Sequence, residues 1–192
     1  GSSHDYGQYA VRSRSAQVGI ASSLSPTADR NWVNLADALM QKARETLDPS
    51  FYPHAERSAR HALSINARSA GAMTSLAWIA GSRHEFERSI EWANKALALD
   101  PGDNAAYGLI GDAQVEMGDY EAAARTYQKM MNLKPDLSAY SRSAHLIFMT
   151  GNVDRAARLM AKAVDLGGPF AENTAWCRAE LGKMLYAAGY LD

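Results

Sequence analysis

Apolar residues recur along almost the whole chain at the three- and four-residue spacing of amphipathic helices. Sustained alternation of apolar and polar residues, which would indicate strands, is absent, and so are Asn-Gly and Asp-Gly hairpin turns. The pattern therefore predicts an all-α protein. Its short helices are separated by helix-breaking residues at Pro26, Pro49, Pro53, Pro101, Gly118, Pro135, Gly151 and Gly167 to Pro169.

A short sequence pattern occurs twice, with a spacing of 34 residues. Phe86 corresponds to Tyr120, and Pro101, which follows the first copy, corresponds to Pro135 after the second. A period of this length, with a proline at the end of each unit, is typical of stacked helix pairs. It predicts a solenoid in which each unit contacts only its neighbours.

The repeated unit resembles the tetratricopeptide repeat. In that family, small residues stand where the two helices of a unit meet, bulky residues surround them, and a proline follows the second helix. The unit that begins at Asn104 supplies Tyr107, Ile110, Gly111, Tyr120, Ala123, Tyr127, Met130 and Pro135 at these positions, and the unit that begins at Ala70 supplies Met73, Leu76, Ala77, Phe86, Ser89, Ala93, Ala96 and Pro101. The resemblance implies a right-handed α-solenoid of stacked antiparallel helix pairs, with about four repeats and partial repeats at the ends.

This register divides the chain into a tag remnant, four repeats and two terminal segments. The first repeat is irregular, because its second helix starts late; we expect a longer first helix from Asn31 to about Leu47 and a protruding turn over 48–53. That turn is either an irregular cap or a specific binding element. The segments are 1–4 (tag remnant), 5–28 (N-terminal helix or degenerate repeat), 29–68, 69–102, 103–136 and 137–169 (four repeats), and 170–192 (first helix of a truncated fifth repeat, or a C-terminal cap).

The last segment predicts an open end to the solenoid. Leu181, Met184 and Leu185 form an apolar face that would lack a partner if the chain stopped inside a repeat. A terminal repeat usually has a polar outer face. We therefore expect the chain to be a fragment of a longer repeat array.

The resemblance also implies a binding surface, because the first helices of these repeats line a concave groove in the family. Trp78 is the candidate anchor, since tryptophan is enriched at interface hot spots and small residues surround it. The alternative is that Trp78 packs in the core. Transferred repeat by repeat, the groove residues are Asp37, Thr74, Trp78, Asp112, Ser141, Arg142, His145, Phe148, Lys183 and Tyr186.

One known specificity of the family is not expected. Its chaperone-binding members hold a C-terminal carboxylate with a set of lysine, asparagine and arginine side chains. The corresponding positions here are Val33, Asp37, Ser75, Ala105 and Leu109, and a shift by one repeat matches only Arg142. We expect a protein or peptide partner other than an Hsp70- or Hsp90-type tail.

Candidate catalytic residues are few. His54 and His61 are seven residues apart on one helix, too far for shared metal ligation without a third helix, and no HExxH or CxxC motif occurs. His145 and Asp112 are expected to be polar groove neighbours rather than a catalytic pair, and Cys177 is expected to be an inert, buried residue. We expect no catalytic residue, metal or cofactor, and a protein that is not an enzyme.

Composition narrows the partners further. The net charge is −1 and no run of basic residues occurs, which disfavours nucleic acid. No apolar run reaches the length of a membrane helix, so no membrane insertion is expected. The single cysteine excludes an internal disulfide framework. The compartment is left open, since both a cytoplasmic and an exported protein fit.

These observations favour a protein–protein interaction scaffold that binds a peptide or protein in its groove. Two alternatives stay open. The exposed repeat ends could drive self-assembly, which would make the protein a homo-oligomer. The chain could also be the regulatory or substrate-recruiting arm of a larger enzyme.

Overall fold

The computed structural model describes residues 28–168 and 171–190. Within these ranges the chain is helical and contains no strand; the tag remnant and most of the predicted N-terminal segment lie outside them. The helices are α1 (Ala28–Thr46), α2 (Tyr52–Ile65), α3 (Ala70–Ser82), α4 (Phe86–Leu99), α5 (Asn104–Glu116), α6 (Tyr120–Leu133), α7 (Leu137–Met149), α8 (Val153–Leu166) and α9 (Ala171–Ala187), with a 3-10 turn (Pro49–Phe51) between α1 and α2.

Consecutive helices pack as pairs, and the pairs stack into the right-handed α-solenoid that the sequence predicted. The first helix of each pair also contacts the first helix of the next pair, so α1, α3, α5, α7 and α9 form one continuous layer. The second helices, α2, α4, α6 and α8, form the other layer. We call these the inner and outer layers.

The turns inside the pairs share a backbone conformation that ends each inner helix. Gly118 and Gly151 follow α5 and α7 with positive φ angles of 81° and 94°, and Gly189 follows α9 with 76°. His84 adopts a φ of 61° at the corresponding place after α3. A positive φ favours glycine, because a Cβ atom crowds the backbone there. The shared turn after α9 identifies this helix as a further inner helix.

Small residues allow the helices of a pair to approach closely. Ala77, Ala93, Ala96 and Ala123 are completely buried. Gly111 has no free space at all, since a Cβ atom there would overlap the ring of Tyr127 on the neighbouring helix. Close packing of this kind excludes voids and stabilises the interior through many short contacts.

Helix α1 is longer than the other inner helices within the repeats. It contains 19 residues, whereas α3, α5 and α7 contain 13 each. The chain then turns through Pro49–Phe51, and the Asp48 side chain accepts a hydrogen bond from the Ser50 backbone N–H. Gln41 and Arg44 lie in the last two turns of this longer helix.

The apolar face of α9 differs from the open face expected from the sequence. Met184 is completely buried, and Leu181 and Leu185 are half-buried against the core formed with α7 and α8. These side chains face the preceding repeat, because α9 packs on α8 as the earlier inner helices pack on the helices before them. The large side chains that α9 and its following turn do expose are Trp176, Tyr186 and Tyr190.

Candidate partner-binding groove

The inner layer forms the concave side of the solenoid. Its first and last described helices, α1 and α9, are separated by three inner helices, yet their side chains meet. Arg44 on α1 forms an ion pair with Glu172 on α9, with 2.9 Å between Nη2 and Oε1, and also donates to the Asn173 side chain. Gln41 donates to the second oxygen of Glu172 at 3.0 Å. We call this contact the clasp.

Three adjoining cavities lie beneath the clasp, and Arg44 and Arg142 line all three. Their volumes are about 740, 390 and 310 Å³. Because they share these two side chains, we treat them as one groove. It follows the inner layer from α1 to α9.

The largest cavity forms the N-terminal half of the groove, and its lining carries both signs of charge: Asp37, Glu45 and Asp103 on one side of the balance, and Lys42, Arg44 and Arg142 on the other. Ser75 donates a hydrogen bond to Asp37 at 2.6 Å, and Thr74 donates one to Asp103 at 2.5 Å. Burial raises the pKa of Asp37, and the charge of Asp103 raises it further, against the opposite effect of the Ser75 hydrogen bond. Half-buried Trp78 lines the same cavity and also packs against the core formed by α1, α2 and α3.

The centre of the groove contains a fixed ion pair. Arg142 Nε and Nη2 each lie 2.9 Å from a different oxygen of Asp112, a two-pronged geometry that orients both side chains. Buried Tyr127 donates to Asp112 at 2.8 Å, and Arg142 donates to Ser138. Burial acts to lower the pKa of Arg142, but the Asp112 carboxylate outweighs it and the net shift is upward.

The C-terminal half of the groove is lined by α7 and α9. The His145 ring lies 6.1 Å from the Trp176 ring, and the His145 Nδ1 atom is buried with no hydrogen-bond partner among the described residues. Asp112, the neighbour that the sequence suggested for His145, is occupied instead by Arg142 and Tyr127. Cys177 is buried beside this region, and burial raises the pKa of its thiol, as expected of an unreactive cysteine.

The predicted groove residues divide into two sets. Asp37, Thr74, Trp78, Asp112, Ser141, Arg142 and His145 line the three cavities. Half-buried Phe148 packs in the core around α8, Lys183 pairs with Glu180 at 2.5 Å, and Tyr186 is 73% exposed outside the cavities. That these residues bind a partner remains a prediction.

Sequence reasoning missed five charged residues that line the groove, namely Lys42, Arg44, Glu45, Asp103 and Glu116. Asp103 precedes α5, and its side chain caps that helix by accepting a hydrogen bond from the Ala106 backbone N–H. Arg44 lies in the additional turns of α1. A search restricted to the family's inner-helix positions cannot find either residue, although an aspartate three residues before the Ala106 N–H was a recognisable capping signal.

Two kinds of feature are absent from the part of the chain that the structure describes. No three histidine, cysteine, aspartate or glutamate side chains there are grouped as metal ligands. None of the described helices combines the length and the apolar character that crossing a membrane requires.

Paired helices stacked around a side-chain-lined groove define a helical-repeat scaffold, the class of protein that holds other proteins. The particular repeat is the tetratricopeptide repeat, whose family model matches residues 105–137. The described chain as a whole has the fold of solved tetratricopeptide-repeat structures.

Solved structures share this fold at low sequence identity. A thermophilic tetratricopeptide-repeat protein of Thermus thermophilus matches with a TM-score of 0.65 and 16% identity, over 83% of this chain and 89% of that one. The Cut9–Hcn1 hetero-tetramer of the APC/C matches with a TM-score of 0.75 and 15% identity, over 90% of this chain and 34% of that one. The type III secretion translocator chaperone SycD of Yersinia enterocolitica matches with a TM-score of 0.56 and 18% identity, over 64% and 93%.

A relative is also found among curated proteins. The chloroplastic PsbB mRNA maturation factor Mbb1 of Chlamydomonas reinhardtii is 33% identical over 88 residues, which are 45% of this chain. The matched region spans only 13% of the length of that relative.

Proposed function

We propose that this protein is an interaction scaffold that binds a peptide segment of a partner protein in the groove of its inner layer. The observation that carries the proposal is the continuity of the groove, in which Arg44 and Arg142 line three adjoining cavities. A linear peptide fits such a surface, because it can contact several inner helices in succession. Other proteins with this solenoid fold bind protein partners, and the proposed function is consistent with that use.

The groove offers two kinds of contact that a peptide needs. The Trp78 indole supplies an apolar anchor that is partly accessible, and large aromatic side chains of this kind contribute much of the energy in protein interfaces. The Asp112–Arg142 pair supplies fixed polar groups that need little reordering on binding. Groups that are already ordered reduce the entropic cost of association.

RNA is a less suitable occupant than a peptide. The relative in Chlamydomonas carries the name of an mRNA maturation factor, which makes RNA a natural comparison. Asp37, Glu45 and Asp103, however, offset the charges of Lys42, Arg44 and Arg142 in the lining of the largest cavity, so phosphates would meet no excess of positive charge there. The two arginines of the groove already pair with Asp112 and Glu172.

Self-association is a second candidate function, and the exposed side chains at the C-terminal end of α9 favour it. Tyr186 is 73% exposed, and Tyr190 after the helix is 68% exposed. Sedimentation equilibrium of the wild type and a Tyr186→Ser/Tyr190→Ser variant tests it. A concentration-dependent mass that the variant abolishes would support this candidate, and a monomer at all concentrations would contradict it.

A display library of random peptides, each about 12 residues long, tests the groove directly, since such a length can cross several inner helices. Peptides are selected on the immobilised wild type and then measured against Ala105→Trp, which adds a bulky side chain to an exposed position in the largest cavity. The matched control is Ala124→Trp, an equally exposed alanine on outer-layer helix α6. We expect the first variant to weaken binding at least about tenfold and the control to leave it unchanged.

Two results would contradict the proposal. One is a selection that recovers no peptide above background. The other is a set of peptides that bind Ala105→Trp as tightly as the wild type. Circular dichroism of both variants shows that each retains its helices, so a loss of binding is not mistaken for unfolding.

A further inference from the structure

The charged residues of the groove differ in whether they have partners. Arg142 pairs with Asp112, and Arg44 pairs with Glu172. Asp37 and Asp103 line the largest cavity, and within the described residues neither forms an ion pair inside 4.0 Å. Each accepts hydrogen bonds only from uncharged groups, Ser75 in one case and Thr74 with a backbone N–H in the other.

These two carboxylates act on each other. The charge of Asp103 adds to burial in raising the pKa of Asp37, so the two negative charges are close enough to repel. A cation placed between them would remove the repulsion and stabilise both ionised groups. The space between these two carboxylates therefore favours a positively charged group, although Lys42, Arg44 and Arg142 also line the cavity as a whole.

An aromatic ring lines the same cavity. Trp78 is half-buried and lines it together with the small, exposed residue Ala105. A cation over the face of a tryptophan is attracted by the π-electrons of the ring. The chain already contains such a contact on its outer layer, where Lys95 Nζ lies 4.4 Å from the centre of the Trp92 ring.

We propose that this cavity receives a lysine or arginine side chain of the bound peptide, with its cationic group between Asp37 and Asp103 and its aliphatic stem against Trp78. The inference rests on the proposed peptide-binding function and adds a specificity to it. Lysine and arginine suit the site because they combine a terminal charge with a long apolar stem. The volume of about 740 Å³ holds such a side chain together with part of the peptide backbone.

The peptide selection described above provides the probe. The wild type and an Asp37→Asn/Asp103→Asn variant are given the same library, and the selected sequences are compared position by position. Asparagine keeps the shape of each side chain, still accepts the hydrogen bond from Ser75 and still caps α5. The variant should therefore fold while losing both negative charges. We expect lysine and arginine to be enriched at one position on the wild type and not on the variant.

An affinity cycle makes the result quantitative. In a peptide selected on the wild type, the basic residue is replaced by norleucine, which keeps the stem and removes the charge. On the wild type we expect the replacement to weaken binding about tenfold, and on the variant less than about twofold. Asp119→Asn is the matched control, because Asp119 caps outer-layer helix α6 in the same way and lies outside the three cavities. On Asp119→Asn, the norleucine replacement should weaken binding as much as it does on the wild type.

The possible failures can be told apart. Selected peptides without basic enrichment, or with the same enrichment on both proteins, would overturn the inference, while blockage by Ala105→Trp would still support the groove as the binding site. Enrichment of acidic residues or phosphomimetic sequences would also overturn it. A selection that yields no peptide at all would contradict both the inference and the proposed function.

Discussion

Gly111 determines how closely α5 and α6 approach each other. Its α-hydrogen faces the ring of Tyr127, and the hydroxyl of that ring in turn holds Asp112 in the groove. The contact therefore joins the packing of the third repeat to the position of a groove residue. Any larger side chain must displace the ring or separate the helices.

We predict that Gly111→Ala lowers the free energy of unfolding by about 1–3 kcal/mol, because the added Cβ would overlap the Tyr127 ring. Gly182→Ala on α9 is the matched control, since a Cβ there meets no atom within 4 Å. Gly182→Ala should leave the free energy of unfolding unchanged or raise it by up to about 1 kcal/mol, because alanine has the higher helix propensity. Urea unfolding of both variants tests the difference, and equal effects would contradict the register of the third repeat.

Asp37 is expected to reduce stability at neutral pH. Its pKa in the folded protein is raised above the ordinary value of 3.8, mainly by burial. Folding is therefore favoured when this group is protonated, and that contribution is lost as pH rises through the folded-state pKa. Asp37→Asn should melt at a higher temperature than the wild type at pH 7, and the difference should disappear as the pH falls below about 4.

Melting curves of the two proteins between about pH 3.5 and pH 8 test this expectation, because that window brackets the ordinary aspartate pKa and neutrality. A variant that melts below the wild type at neutral pH would show that Asp37 stabilises the fold. That result would contradict the view that the ionised Asp37 carboxylate lowers the stability of the fold while its charge stays available to a partner.

Most groove residues could be located from the sequence, but their partners could not. Trp78, Asp112 and Arg142 occupy inner-helix positions that the repeat pattern identifies. The pairing of Asp112 with Arg142 rather than His145 depends on how far each side chain reaches across adjacent repeats. The repeat register gives the position of each residue along the chain but not how far its side chain reaches. Arginine is a better partner for Asp112 than histidine is, because its planar guanidinium has several donors that match a carboxylate.

At the scale of the helices, the length of α1 changes the shape of the groove. The sequence predicted a longer first helix, since the second helix of that repeat begins late. The contact between its last turn and α9 was not predictable, because it depends on small rotations that accumulate over several repeats. The clasp lies between residues 44 and 172, far beyond the reach of any local pattern.

We predict that the clasp contributes little to stability but that its two residues depend on each other. Both side chains are more than a third exposed, at 44% and 40%, so solvent weakens the pair to about 1 kcal/mol or less. Glu172→Lys should lower the free energy of unfolding slightly, and adding Arg44→Glu should restore it. The free energy of unfolding that the second change restores should be smaller at high salt, because salt screens the attraction between the two charges.

A double-mutant cycle measures this coupling by urea unfolding. The exposed pair Arg125–Glu121, at 3.9 Å within α6, is the control and should show almost no coupling. Additive effects of the Arg44 and Glu172 changes would mean that α1 and α9 do not meet in solution. The groove would then be open along its length.

The whole molecule combines a regular scaffold with an irregular charge pattern. The 34-residue period, the small residues and the prolines made the solenoid predictable, because each is a local signal that recurs in the second and third repeats. The charged residues of the groove differ from one repeat to the next, so the repeat pattern does not predict them. The Asp37 and Asp103 carboxylates toward the N-terminal end and the Asp112–Arg142 pair at the centre make the groove asymmetric, which would give a bound peptide a preferred direction.

The central claim is that the inner layer is the surface that holds a partner, and site-specific photo-crosslinking in the cells that produce the protein tests it most directly. A photo-reactive phenylalanine analogue replaces Ala38, an exposed residue of α1 in the largest cavity, or Ala98, an equally exposed residue of outer-layer helix α4. The account predicts a discrete crosslinked partner from position 38 that Ala105→Trp abolishes, and none from position 98. Crosslinks from position 98 alone, or crosslinks from position 38 that survive the Ala105→Trp block, would contradict it.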